Sequence, residues 1–193
     1  MILKFLIKLY LKSRGVKIGK NFSCYSFPII DTKLKKISLE IGDDVKIGKN
    51  VEFFFRNKGK IQIFSNVKID NNVRLLAANN SKLVINQGTK VGKNSVINAG
   101  DDIYIGKKCL ISGNCYIQSS SHTFEKNIDI IDQNHKHEKI IIENDVWVGA
   151  NSSILMGVTI KRGTIVGTLT KIDKSTEEFS IYSGNPMVMI KKR

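Results

Sequence analysis

Every sixth residue from Ile142 onward is aliphatic: Ile142, Val148, Ile154, Ile160, Val166 and Ile172. An α-helix repeats every 3.6 residues and a flat strand every two, so neither presents this series on one side. A period of six describes a chain wound into a triangular coil, each hexapeptide giving one short flat side. The rhythm starts well before Ile142. Ile41, Ile47 and Phe53 form one set; Ile63, Ile69 and Leu75 a second; Ile85, Val91 and Ile97 a third; Ile105, Ile111 and Ile117 a fourth. The first members Ile41, Ile63 and Ile85 are 22 apart, where three hexapeptides make 18, so each early coil carries about four extra residues at one corner. A shorter first coil is expected around Ile18-Gly19 and Phe22.

Small or branched residues such as Val45, Thr89, Ser95, Cys109 and Cys115 come four after most of these aliphatics. Glycine often follows the aliphatic itself, as at Gly42, Gly92 and Gly149, and the expected reason is passage round the corner through unusual dihedrals. One coil cannot bury its own inward aliphatics. Stacked coils share a core and satisfy each other's backbone groups in parallel ladders. The sequence therefore predicts a single all-β solenoid domain over 15–172, a helix over 1–14 capping one end, and an irregular tail over 173–193.

The helix is amphipathic and basic. Lys4, Lys8 and Lys12 share one face, and Ile2, Leu3, Phe5, Leu6, Ile7, Leu9, Tyr10 and Leu11 fill the rest. Two partners fit that stripe: this protein or a neighbouring subunit, or an anionic membrane surface. Lysine interrupts the stretch and it is short, which argues against a secretory signal or a membrane span. The chain has a formal net charge of +14, which points to anionic partners. Its lysines read as scattered over coil surfaces rather than clustered with stacking aromatics, which argues against nucleic acid. Cys24, Cys109 and Cys115 are odd in number, and Cys109 and Cys115 sit six apart at small-residue positions, so the three read as reduced packing residues of a cytoplasmic protein.

The largest break in the rhythm runs over 118–139 and holds all three histidines, His122, His135 and His137. A long insertion on a rigid scaffold is a usual seat of catalytic groups.

The stretch Ile142-Glu143-Asn144-Asp145-Val146-Trp147-Val148-Gly149-Ala150-Asn151, with Ile154 to Ile160 after it, resembles the hallmark of hexapeptide-repeat acyltransferases. Ser121-His122-Thr123-Phe124 resembles the active-site histidine loop of the maltose, galactoside and polysaccharide O-acetyltransferase branch, and Tyr182-Ser183-Gly184-Asn185-Pro186 its C-terminal signature. The resemblance spans roughly 37–193. It implies a left-handed parallel β-helix, a homotrimer with active sites between neighbouring prisms, and acetyl-CoA as donor. Two departures fall where the family usually carries small residues along its pantetheine channel: Lys161-Arg162 after Ile160, and Gly167-Thr168-Leu169-Thr170-Lys171 in the next coil.

On this resemblance His122 is the general base, since an imidazole with its ordinary pKa near 6.5 suits taking a proton from a hydroxyl. The alcohol attacks the thioester directly, and a backbone N–H of the Trp147-Val148-Gly149-Ala150 coil receives the oxyanion. Trp147, Gly149, Ala150, Gly167 and Thr168 line the donor channel, and Lys171 and Lys191 meet the coenzyme's phosphates. Glu125 either orients His122 or is a solvated loop acid, and His135 and His137 either edge the acceptor site or are simply exposed. No metal is expected, because a three-histidine zinc site on such a coil needs ligands at fixed spacing on coil faces.

The function expected is acetyl-CoA-dependent O-acetylation of a sugar hydroxyl on a cell-surface polysaccharide or its precursor. The location expected is cytoplasmic, with peripheral contact at the inner membrane face through the helix. N-acetylation of an amino-sugar nucleotide and a non-catalytic scaffold are the alternatives.

Overall fold

The computed structural model describes residues 2–33 and 37–193. Met1, where the expected helix begins, and 34–36, inside the expected coil domain, lie outside the described residues. The chain forms the left-handed parallel β-helix, with three parallel sheets as the faces of a prism. The first face runs in seven strands from Lys17–Ile18 to Thr159–Ile160, and the third in seven from Ile29–Asp31 to Lys171–Ile172. The second face runs from Ser23–Cys24 through Trp147–Val148 and Ile165–Val166 into the tail.

The aliphatic sets stack in register. Ile41 pairs with Ile63, Ile63 with Ile85, Ile85 with Ile105, Ile105 with Ile142, and Ile142 with Ile160. All six are buried in one continuous core, where each aliphatic side chain withdrawn from water contributes roughly 1.5–3 kcal/mol. The extra residues of the early coils lie at the corner between the third face and the next first face. Arg56 to Gly59, for example, join Glu52–Phe55 to Lys60–Ile63.

The corner glycines act differently from the sequence-based expectation. Positive φ is carried mainly by Asn and Asp, including Asn50, Asn72, Asn94, Asn114 and Asn151. The amides of Asn50, Asn72, Asn94 and Asn114 hydrogen bond to one another from coil to coil. Gly149 is required instead by close approach: a Cβ there would lie 2.6 Å from Thr168 N and 2.7 Å from Gly167 C. The small residues have a second use. Thr89, Ser95, Cys109, Cys115 and Ser152 donate side-chain hydrogen bonds to carbonyls of the following coil. All three cysteines are buried and free, and burial pushes their thiols up.

Helix α1 (Ile2–Ser13) sits against the first coil. Only Ile7 and Leu11 are fully buried, and Tyr10 packs at the edge with its ring 5.7 Å from Phe27. The rest of the stripe faces outward, with Phe5 68% and Leu9 57% exposed. The tail is more regular than expected. Ser180–Ser183 adds another parallel strand to the second face, and Val188–Lys192 folds back antiparallel on it. Arg193 ties the end to Asp145 at 2.9 Å.

The lysines also depart from the scattered pattern. Lys46, Lys68 and Lys90 pair with one another in register, one above the next on the outside of the second face.

Candidate active site

The 118–139 segment leaves the six-residue rhythm and forms a hairpin. Ser120–His122 pairs antiparallel with His135–His137, and a 3₁₀ turn at Ile130–Asp132 lies between them. The hairpin leaves the prism at the corner between the third and first faces, directly after Tyr116–Gln118. Its root is fixed. The buried Ser119 hydroxyl donates to Asp101 O at 2.7 Å and accepts from Asp101 N–H at 3.0 Å. Gly100 has no room for a side chain, since a Cβ would stand 2.8 Å from His137 Nδ1 and 2.9 Å from Ser120 Cβ.

His122 is exposed and pairs with His135 across the hairpin, ring centroids 4.0 Å apart. His135 and His137 are exposed and also line a groove of about 640 Å³ at the hairpin's base, together with Arg56, Asn79, Asn98 and Gln118. The groove is built on the corner that carries the four extra residues. Glu125 braces the loop through its backbone, its N–H donating to Gln133 Oε1 at 2.6 Å. Among the described residues no carboxylate hydrogen bonds to His122. The distal part of the hairpin exposes apolar side chains among charged ones, with Phe124 82% and Ile131 86% exposed. Among the described residues no group of three metal-ligating side chains is poised for an ion.

The expected donor residues gather at a different edge, the corner between the second and third faces. Gly149 and Ala150 stack against Gly167 and Thr168 of the next coil. Lys171 flanks this corner on the third face, paired with Asp173 at 2.8 Å. Trp147 flanks it on the second face, where Trp147, Ile165, Ile181 and Lys191 fall in one register row. The Trp147 indole N–H donates to Ser112 Oγ at 3.2 Å. The Gly149 N–H is engaged by Val166 O at 2.8 Å, whereas among the described residues the neighbouring Ala150 N–H has no acceptor. That distinction is invisible in the sequence.

Lys161 and Arg162 are not at this corner. They sit between the first and second faces, where Lys161 Nζ and the Arg162 N–H both bind the Glu143 carboxylate. Of the two departures, only Thr168-Leu169 reaches the donor edge. Leu169 holds φ of 57° there, in the column where earlier coils place asparagine.

One chain thus brings Trp147, Gly149, Ala150, Gly167 and Thr168 together, with Lys171 and Lys191 at the margins. It leaves His122 on another edge of the prism.

Comparison with known proteins agrees with this architecture. Residues 139–168 match the family described as hexapeptide repeat of succinyl-transferase. A probable macrolide acetyltransferase of Lysinibacillus sphaericus is 36% identical over 111 residues, covering 49% of this chain and 62% of that protein. The match thus spans less than two thirds of that relative's length. Two solved structures share the fold. The polysialic acid O-acetyltransferase OatWY superposes with a TM-score of 0.69 at 22% identity, over 92% of this chain and 88% of that one. The N-acyltransferase AntD from Bacillus cereus, solved with coenzyme A and an amino-sugar nucleotide, gives 0.68 at 22% identity, over 96% and 88%. The chain is a hexapeptide-repeat protein of the left-handed β-helix class.

Proposed function

We propose that this protein is an acetyl-CoA-dependent O-acetyltransferase acting on a saccharide hydroxyl as a homotrimer, with each site formed between two prisms. The observation that carries the reading is the division of labour between two edges. One edge carries an exposed imidazole on a projecting hairpin, and the other a flat corner with an unengaged Ala150 N–H. Neither edge is sufficient alone, and copies packed side by side would bring them into one cleft. The open apolar Phe124 and Ile131 give the hairpin a reason to seek a neighbour.

The steps follow from these groups. A saccharide hydroxyl gives its proton to His122 as its oxygen attacks the acetyl carbon of the thioester. The Ala150 N–H donates to the carbonyl oxygen as that atom gains charge. When the carbon–sulfur bond breaks, the imidazolium returns the proton to the departing thiolate. Trp147 and the Gly149, Gly167 and Thr168 corner hold the donor chain, with Lys171 and Lys191 toward its phosphates. The amide-lined groove beneath His135 and His137 suits an acceptor rich in hydroxyls.

An acceptor panel with acetyl-CoA, read by thiol release, tests the reading. Turnover on hydroxyl acceptors supports it. Turnover only on amino sugars would make the protein an N-acetyltransferase. Absence of acetyl-CoA binding at about millimolar concentration in a calorimeter would leave only the scaffold reading.

Helix α1 supports a seat at an anionic membrane surface. Ile2, Phe5, Leu6 and Leu9 lie on the side away from Ile7 and Leu11, and Lys4, Lys8 and Lys12 run beside them. No acidic residue precedes Asp31. A second copy of so basic a chain is a poor counter-surface, whereas acidic lipid complements both the charge and the apolar stripe. Among the described residues no helix is long and apolar enough to cross a membrane. Flotation with phosphatidylglycerol-rich vesicles, lost on combining Phe5→Ser with Leu9→Ser, is the expected result. If the double variant floats unchanged but loses its oligomeric state, the helix is a subunit contact.

A further inference from the structure

The second face carries a row of outward side chains that runs from cation to aromatic. Successive registers read Ser23, Lys46, Lys68, Lys90, Leu110 and Trp147. Neighbouring strands are about 4.8 Å apart, so Lys46, Lys68 and Lys90 form a straight rail of about 10 Å. Trp147 stands about 19 Å from Lys46 along the same line.

Stacked like charges oppose pairing. Lys60 and Lys82 stack as a pair on the first face, but two other rows alternate sign or polarity. On the first face Lys17 is followed by Glu40, which it binds at 2.7 Å, and then by Gln62, which also binds Glu40. On the third face Glu52 is followed by Arg74. On the second face three lysines follow one another, all exposed, and among the described residues none of them is in an ion pair. The shallow groove beside Lys46 and Lys68 also holds Tyr25, Lys49 and one carboxylate, Asp70, which accepts from the Asn71 N–H. The arrangement is a repulsive row that a regularly charged anionic chain would relieve.

We propose that Lys46, Lys68 and Lys90 form a binding rail for a polyanionic glycan, an acceptor bearing a carboxylate or phosphate on its repeating units. The inference rests on the acetyltransferase reading above and narrows its acceptor. The rail lies on the N-terminal side of Trp147, and the donor corner with Lys191 lies on the C-terminal side. A polymer laid along the rail therefore reaches the reaction point without crossing the donor's path. Lysines hold such a chain by charge rather than by reading its sequence, so binding falls as salt rises and counterions compete.

The test is direct binding, which needs no turnover. Fluorescently labelled polysialic acid, with a carboxylate on every sugar, is titrated by anisotropy against the intact protein and the triple variant Lys46→Gln, Lys68→Gln, Lys90→Gln. Neutral dextran and a single-stranded RNA of equal length serve as comparisons. The intact protein is expected to bind polysialate over dextran, and the triple variant to bind it at least about tenfold more weakly with a shallower salt dependence. Calorimetric acetyl-CoA binding is expected to stay unchanged in that variant. Equal polysialate binding by parent and variant overturns the rail. Tighter binding of RNA than of polysialate by the parent, lost in the variant, replaces it with a nucleic-acid surface. Loss of the acetyltransferase reading shows up separately, as failure of acetyl-CoA binding in the parent itself.

Discussion

His122 and His135 face each other across the hairpin with ring centroids 4.0 Å apart, so the proposed base stands beside a second imidazole rather than a carboxylate. Both are exposed, and the prism core does not depend on either. His122→Ala is therefore expected to lower turnover by about a hundredfold or more while leaving the thermal midpoint nearly unchanged. Thiol-release kinetics and a melting curve on the same sample check this. Near-parental turnover would remove His122 from the mechanism.

Gly100 sets where that hairpin stands. Gly100→Ala drives a methyl to 2.8 Å from His137 Nδ1 and 2.9 Å from Ser120 Cβ, so the hairpin root must move. A displacement of about 1 Å at a catalytic group can cost up to about a hundredfold in rate. The expected outcome is a fall in turnover of at least about tenfold with donor affinity preserved. Calorimetry and kinetics together distinguish this from general unfolding.

Gly149 makes the opposite kind of demand, since its missing side chain meets backbone that cannot swing away. Gly149→Ala is expected to destabilise the protein by about 1–3 kcal/mol, as overpacking does, and to weaken acetyl-CoA binding at the same corner. Urea denaturation gives the first number and calorimetry the second. Unchanged stability would show that the coils yield more easily than their ladder implies.

Leu169 holds a left-handed conformation in the column where Asn50, Asn72, Asn94, Asn114 and Asn151 do the same. Its side chain is 71% exposed, so no core packing offsets the strain. Leu169→Asn is expected to stabilise by about 1 kcal/mol, the order of the cost of that conformation for a residue with a bulky Cβ. A shift of the urea midpoint to higher concentration is the predicted readout, and a shift to lower concentration contradicts it.

Acid stability follows from four carboxylates. Arg56 holds Asp31 low, Lys17 and Gln62 hold Glu40 low, and Lys171 holds Asp173 low. At Glu143 partial burial opposes ionisation, but Lys161 and the Arg162 N–H outweigh it and the net shift is downward. A carboxyl group lower in the folded than in the unfolded chain adds stability above its unfolded pKa, near 4, and loses it as pH falls further. Thermal midpoints should therefore hold steady on these groups' account from pH 7 to about pH 5 and drop below about pH 4. Glu143→Gln should make that drop shallower, and an identical acid limb in the variant would exclude Glu143 from it.

The prism was legible in the sequence because its cause is local. An aliphatic every six residues must face inward if the coil is to have a core, and the 22-residue spacing of Ile41, Ile63 and Ile85 already contains the registers later seen. His122 and the Trp147 to Ala150 stretch stand out in the sequence through their resemblance to a family's motifs. What the tertiary structure decided was adjacency between coils. Only stacking reveals that Gly149 is pressed against Thr168, that the Gly149 N–H is engaged while that of Ala150 is not, and that Lys161 and Arg162 lie away from the donor corner. Only stacking turns lysines 22 residues apart into a continuous rail on one face. The physical reason is the same in each case. The sequence fixes which way a side chain points within its own coil, whereas its neighbours above and below are set by parallel pairing across some twenty residues of chain.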